Sequence, residues 1–460
     1  MTVKKFGGTS VGTAEMIKKV KEIVSFNDEK VIVVVSAVAK TTNRLVSLLE
    51  NLEHNDIIFA NNDLKTIYKY HFELISELGI KDDTIEYLDK IIHVLKNIIE
   101  SVNNKIDLTN NQKDVILSCG ELLSSKIVYQ YLLSENVKAS FIDSREIIKT
   151  DSEFTNAEVN LEQSKYHINN KLKDSFKSSD VIIMGGFIAS DEKGRTTTIG
   201  RGGSDFSASV MAWASEAEKL EIWTDVDGIM SIDPKLNKNA LRILQLSYDE
   251  AAELAYFGAK VLHPKTIGPA IKAKIPVIVK NTFNPNLKGT WIQDSDTNTK
   301  IIKAFSYWDD IIVINIKSNR MLGAHGFLNN VFEIFKNYKT PVDLIATSEV
   351  SLSLTIDSDK NLGYIIGELE KFSNVTVHTN HSIISAIGDG IKETAGIASR
   401  FFGVLKDVNI KMVSIGASEV NISIVVHQGD LERSLDLLHK EFFDNLEYPN
   451  IFERIENGKN

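Results

Sequence analysis

Residues 326–356 recur without a gap at 396–426, and eight of the 31 aligned pairs are identical. These are Gly326/Gly396, Phe332/Phe402, Lys336/Lys406, Ile345/Ile415, Ser348/Ser418, Glu349/Glu419, Val350/Val420 and Ser353/Ser423. A fixed period of this size means that one supersecondary unit is built twice. Each copy reads strand, Gly-containing turn, amphipathic helix and two strands, completed by a further helix and strand in a βαββαβ pattern. The apolar stretch Ile301–Tyr307 precedes the first copy's own strand, Ile311–Ile316. It is therefore free to pair with the second copy and interleave the two modules.

Upstream the rhythm differs. Short β-branched runs, Val31–Val35, Val181–Met184, Leu220–Trp223 and Pro276–Val279, alternate with helical stretches such as Ala14–Val24 and Ser204–Ser215. Unbroken apolar runs of this length suit strands buried on both faces of a mostly parallel sheet. A segment from about His54 to Asn104 has helical period and reads as a helical insertion. The polar stretch Asp294–Lys300 marks a boundary. The expected organisation is an α/β domain over 1–297, then two small α+β modules over 298–382 and 383–460. A chain of 460 residues has room for about three domains of roughly 150 each.

Composition excludes several classes. With 52 Lys and Arg against 62 Asp and Glu, the net charge is −10, and no basic stripe offers itself to nucleic acid. The run Val31–Ala39 falls far short of the ~20 residues that span a bilayer. It also lies too deep in the chain for a signal-peptide core. One cysteine, Cys119, excludes an intrachain disulfide framework and a Cys-rich zinc site. The expectation is an acidic, soluble, cytoplasmic protein.

Chemistry gathers in the α/β domain. KFGGTS, Lys5–Ser10, joins a strand to a helix. Glycines there let backbone N–H groups approach a phosphate, and a lysine supplies a mobile charge; an ordinary strand–turn–helix junction is the alternative. SAVAKTTN, Ser36–Asn43, follows the strand Val31–Val35 at the place where open α/β sheets bind ligands. Ser36 and Thr42 could hold a small polar substrate or cap a helix. SCGELLS, Ser118–Ser124, places Glu121 at a helix start, where it could complement the dipole or serve a ligand. TTTIGRGGSD, Thr196–Asp205, packs threonines, glycines, an arginine and an aspartate into ten residues that read as a ligand loop rather than a core element. Arg201 there offers a bidentate fork for a carboxylate or phosphate. WTDVDGIMSIDPK, Trp223–Lys235, lacks the spacing of a calcium loop and reads as nucleotide-contacting.

These clusters in this order, with GAKVLHP (Gly258–Pro264), resemble aspartate kinases of the amino-acid kinase superfamily. GRGGSD alone would indicate only the wider superfamily. The tandem repeats resemble that family's ACT modules, and the likeness covers essentially the whole chain. It implies a three-layer αβα fold with a mostly parallel central sheet, followed by two ferredoxin-like ACT domains. It implies ATP-dependent phosphorylation of the β-carboxylate of L-aspartate, the first step toward lysine, threonine and methionine, with Mg2+ carried mainly by phosphate oxygens and water. Carried over by position, Lys5, Arg201 and Asp205 are catalytic. Ser36, Thr42, Glu121, Arg201 and Ser204 bind aspartate, with Arg201 on its α-carboxylate and Glu121 on its ammonium. Lys5, Gly7, Gly8, Thr224, Asp225, Met230, Lys235 and Lys260 face the nucleotide. The chain reads VDG where many relatives have VPG, which could loosen that turn, and Lys235 stands where Arg is common.

The first module resembles the lysine-sensitive group, and an effector site would draw on Met321, Ala324, Gly326, Phe327, Leu328, Asp343, Ser348 and Glu349. Independently of the likeness, Asp343 and Glu349 could meet the ammonium groups of a lysine. The second module has Val413 in place of Asp343, so one site per chain is expected; threonine is the alternative effector. ACT pairing implies a homodimer, or a tetramer built from it. The rivals are a superfamily kinase for glutamate, acylated glutamate, carbamate or a nucleoside monophosphate, and a catalytically silent amino-acid sensor. A fused dehydrogenase is not expected, since no G-x-G-x-x-G occurs.

Overall fold

The computed structural model describes residues 1–25, 30–80, 83–257, 264–294, 301–318, 321, 325–444 and 450–454. The chain forms two compact units, Met1–Ile229 with Leu262–Asp294, and Met230–Val261 with Ser295–Asn460. The stretch 1–297 thus contributes to both.

Seven strands of the first unit lie in one sheet, in the order Thr290–Ile292, Val277–Asn281, Lys219–Thr224, Thr2–Phe6, Val31–Val35, Val181–Gly185 and Ala139–Phe141. All neighbours run parallel except the edge pair Val277–Asn281 and Thr290–Ile292. Val31–Val35 and Val181–Gly185 are buried at every residue, as their unbroken apolar sequence requires of strands covered on both faces. The helical insertion consists of Ile57–Leu78, capped by Asp56 and ended by Gly79 at φ 70°, and Asp83–Asn103. The long helix Asn110–Ser134 begins with a reciprocal cap between Thr109 and Gln112. Glu121 therefore lies in the middle of that helix, not at its start, and the helix-dipole reading of this residue falls away. The threonines Thr196–Thr198 correct another expectation. They form a short buried strand paired with Ile188–Ser190, their hydroxyls satisfied inside the core.

In the second unit six antiparallel strands follow the order Ile345–Thr347, Ser351–Ile356, Ile302–Lys317, Asn374–Gly388, Asn421–His427 and Ile410–Ile415. Two of these strands serve both modules. Ile312–Lys317 pairs with Ser351–Ile356, while Ile302–Trp308 pairs with Ile383–Gly388. The register shifts between Trp308 and Ile311, where Asp310 takes φ 57°. The glycine that opens both repeats has a conformational reason. Gly326 and Gly396 sit at φ 84° and 91° at the starts of the helices Phe327–Asn337 and Ile397–Val404, a region costly for other residues.

The segment Met230–Val261 is pinned to this unit by a buried ion pair. Lys303 Nζ lies 2.8 Å from Glu250 Oε2, with both side chains at most 1% exposed. Glu250 also closes a cap with Ser247, and the Phe305 amide donates to the Ser231 carbonyl at 2.7 Å. Among the described residues no helix is long and apolar enough to cross a membrane. Removing one partner of a buried pair strands the other charge. Lys303→Ala is therefore expected to cost about 3–5 kcal/mol in urea denaturation, against an unchanged midpoint if the pair is idle.

Candidate active site

Three parallel strands end side by side at Phe6, Val35 and Gly185, and contacts there involve Lys5, Ser36, Glu121, Ser204 and Asp205. Lys5 pairs laterally with Val34 and Ile222, which fixes its height in the sheet. Its Nζ reaches Asp205 Oδ1 at 2.6 Å, on the first turn of the helix Gly203–Ala214. The chain beyond Val35 turns over Glu121, whose Oε1 accepts the Ala37 amide at 3.0 Å.

Glycines let these elements meet. A Cβ on Gly120 would stand 2.7 Å from the Ala37 Cβ, one on Gly8 2.8 Å from the Ala37 carbonyl, and one on Gly186 2.6 Å from the Ser204 Cα. Any side chain at these three places would force strand end, loop and helix apart.

Electrostatics single out Glu121. Its side chain is 4% exposed, and burial pushes the carboxyl up to about 8, against the opposing pull of the Ala37 amide and the Lys5 charge. Its second oxygen, Oε2, is buried without a hydrogen-bond partner among the described residues. A buried acceptor left open in this way costs stability unless a ligand donor completes it.

The other expected residues are placed as follows. Ser36 is half-buried and its amide donates to the Phe6 carbonyl at 3.0 Å. Thr42 is exposed on the helix Thr41–Glu53. Ser204 is buried and Arg201 exposed, between Gly200 and Gly202 at φ 80° and 75°. Gly7 differs from expectation: its N–H donates to the Trp223 carbonyl at 3.0 Å, so this donor holds the fold and is not open to a phosphate. The Thr224 hydroxyl donates to Asp225 Oδ1 at 3.1 Å, and Asp225 is exposed. Met230 and Lys235 belong to the second unit, half-buried and exposed respectively, and Lys260 lies outside the described residues.

In the first repeat module, Met321 packs at the edge of the core and Phe327 lies within it, its ring 5.6 Å from Phe372. Leu328 is exposed, and Ala324 lies outside the described residues. Asp343 and Glu349 flank the strand Ile345–Thr347, one before it and one in the turn beyond. Burial, reinforced by Asp357, pushes Asp343 up to about 7 although the Thr355 hydroxyl opposes this. Ser348 bonds to Ser351, and Glu349 is exposed without an ion pair among the described residues. Its repeat counterpart Glu419 is tied to Lys392 at 2.6 Å.

Two residues escaped sequence reading. Asp227, the residue of the VDG turn, accepts Asn281 Nδ2 at 2.7 Å, so it ties the turn to a strand end rather than loosening it. Asp114 is fully buried and accepts hydrogen bonds from Thr155 and Thr198. Its signal was its position seven residues before Glu121, two turns along one helix face.

A family model described as the amino acid kinase family matches residues 1–281, and one described as ACT domain matches 384–442. Aspartokinase 1, chloroplastic, of Arabidopsis thaliana is 38% identical, over 96% of this chain and 80% of the relative. Lysine-sensitive aspartokinase 3 of Escherichia coli is 33% identical over 96% and 99%. The crystal structure of Escherichia coli aspartokinase III with aspartate and ADP, in its R-state, matches with a TM-score of 0.83 at 33% identity, covering 96% of this chain and all of that one. The chain belongs to the amino acid kinase family and, within it, to the aspartokinases. It is an enzyme, a kinase whose acceptor is the carboxyl group of aspartate.

The buried Glu121 has a measurable consequence. Between the ordinary value of 4.5 and about 8, the folded protein holds a proton on this group that the unfolded chain has lost. The resulting loss of stability therefore grows as pH rises through that window. Glu121→Gln, which keeps the acceptor for the Ala37 amide but carries no charge, is expected to raise the thermal midpoint at about pH 8, with a gain that shrinks toward about pH 5. An equal shift at both pH values would assign the effect to packing.

Proposed function

We propose that Lys5, Glu121, Arg201 and Asp205 carry the transfer of the ATP γ-phosphoryl group to the β-carboxylate of L-aspartate, with Lys5 on the phosphoryl side. The observation that supports this is the open oxygen of Glu121, buried within electrostatic reach of Lys5 at the sheet's carboxyl end. An ammonium group placed there would complete the acceptor and draw Glu121 into its charged form. Arg201, exposed between two glycines, takes the α-carboxylate as a fork. The β-carboxylate oxygen then attacks the γ-phosphorus as the bond to the leaving ADP oxygen breaks. Two anions meet in this step, so the Lys5 charge counts most as the transition state forms. Asp205, 2.6 Å away, holds Lys5 at its post.

Ser36, Thr42 and Ser204 complete the substrate side. Gly8, Thr224 and Asp225 serve the nucleotide from the first unit, and Met230, Lys235 and Lys260 are assigned to it by position. Magnesium would arrive on the nucleotide, held by phosphate oxygens and water, since ATP's phosphates need it.

The regulatory reading is lysine feedback through the first module, with Asp343 and Glu349 as its anionic groups and Gly326 at the helix start offering N–H donors to the carboxylate. Its support is the contrast between Glu349, free of an ion pair among the described residues, and Glu419, neutralised by Lys392. The name of the Escherichia coli relative, a lysine-sensitive enzyme, points the same way. On this reading the functional modules run 1–297, 298–382 and 383–460. The protein is a cytoplasmic homodimer at the head of lysine, threonine and methionine synthesis.

Lys5→Ala is expected to lower kcat on the order of 10²–10³-fold with little change in either KM. Arg201→Ala is expected to raise the aspartate KM roughly 10- to 100-fold, the worth of hydrogen bonds to a charged group. Turnover with glutamate exceeding that with aspartate would overturn the substrate reading. Isothermal titration should show lysine binding, stronger at about pH 8 than at about pH 6, because Asp343 loses its proton near 7 while lysine stays cationic. Glu349→Ala should abolish this binding and leave basal turnover intact. No heat with lysine at either pH, or turnover lost together with binding, would remove the effector assignment.

A further inference from the structure

The loop that carries Arg201 is held from below by a carboxylate to which no role has been given. Asp114 is 0% exposed, in the first third of the helix Asn110–Ser134. Its two oxygens accept the Thr198 hydroxyl at 2.6 Å, the Thr198 amide at 3.1 Å and the Thr155 amide at 3.0 Å from each oxygen. A buried carboxyl with three donors is far more than a helix needs on its inner face, and all of them come from chain distant in sequence.

What those donors belong to gives Asp114 its meaning. Thr198 ends the strand Thr196–Thr198, and the Thr198 carbonyl accepts the Ala157 amide at 2.9 Å. Ile199 then donates to the Phe187 carbonyl at 3.0 Å, and the Gly203 amide closes on the Gly200 carbonyl at 3.0 Å. Arg201 is thus the tip of a four-residue turn, Gly200–Gly203, whose outgoing foot is the helix bearing Ser204 and Asp205. The incoming foot is Thr198, and Asp114 holds it by both its amide and its hydroxyl. The turn has little slack of its own, since a Cβ on Gly200 would stand 2.6 Å from Asn156 Oδ1. The same helix face carries Glu121 seven residues on. One rigid helix therefore carries Glu121 and the anchor of the Arg201 turn.

We infer that Asp114 is a positioning residue for aspartate: through its bonds to Thr198 and Thr155 it sets the distance between Arg201 and Glu121 to the length of the amino-acid head group. It touches no substrate itself. The inference rests on the reading of Arg201 as the clamp on the α-carboxylate. Misplacement of a binding group by about an ångström costs on the order of 10- to 100-fold, and here the loss falls on aspartate alone.

The test is steady-state kinetics of the full chain with aspartate and ATP varied separately. Asp114→Asn puts an N–H where donors converge and should raise the aspartate KM by about tenfold or more, with the ATP KM within about twofold of the parent. Thr198→Val, which removes only the hydroxyl, should do the same to a smaller degree, while Thr198→Ser, which keeps it, should behave as the parent. This pair decides the matter if Asp114→Asn does not fold. Arg201→Ala added to Asp114→Asn should raise the aspartate KM little further, because both changes disable one clamp. Equal effects on both KM values, or Thr198→Ser as impaired as Thr198→Val, would reduce Asp114 to a structural residue and overturn the inference. A loss with Arg201→Ala but none with Asp114→Asn or Thr198→Val overturns it alone; a silent Arg201→Ala removes the clamp reading and this inference with it.

Discussion

Everything at the sheet's carboxyl end is arranged around a carboxyl group that the fold leaves half satisfied. Glu121 is buried, one oxygen meets the Ala37 amide, and the other meets nothing among the described residues. A globular core does not tolerate such a group without a reason. The neighbouring elements are shaped to keep it there. Gly120 lets the helix press on Ala37, Gly185 lets a strand end lie against Glu121, and Gly186 brings up the helix that carries Asp205. Lys5 then sits close enough to share in its field while committed to Asp205. The arrangement gives up stability to keep a buried acceptor open.

The second unit follows a different logic. Its chemistry is sparse and its architecture dominates. Two strands of 16 and 15 residues run through both modules, so neither module is complete without chain from the other. The segment Met230–Val261, which lies within the span of the amino acid kinase family model, is held in this unit by Lys303 and Glu250.

Much of this was legible in the sequence because the signals were periodic. The buried parallel strands announced themselves as unbroken Val and Ile runs, and the repeat exposed the second half at once. Lys5, Glu121 and Asp205 were legible because each sits in a polar motif, Lys5 and Asp205 at a strand end and a helix start. What escaped lies where identity and role separate. Thr196–Thr198 look like a polar loop, yet their hydroxyls are consumed by Arg145, Thr150 and Asp114, partners far away in sequence. The Gly7 amide looks like a phosphate donor until the Trp223 carbonyl is placed beside it. Glu121 looked like a helix-start acid because the cap that sets the true start, Thr109 with Gln112, lies a dozen residues earlier. Asp114 carried no motif at all.

The shared strands also govern how this chain can be made. Ile302–Trp308 has its hydrogen-bonding partners in Ile383–Gly388, from 75 residues downstream (Trp308 to Ile383) to 86 (Ile302 to Gly388). At roughly 5–20 residues per second, a ribosome takes about 4–15 seconds to supply them. For that interval an apolar stretch holds an unpaired edge, the kind of surface on which nascent chains associate. The first module therefore waits on the second during synthesis, and the pair matures as a single late-folding piece.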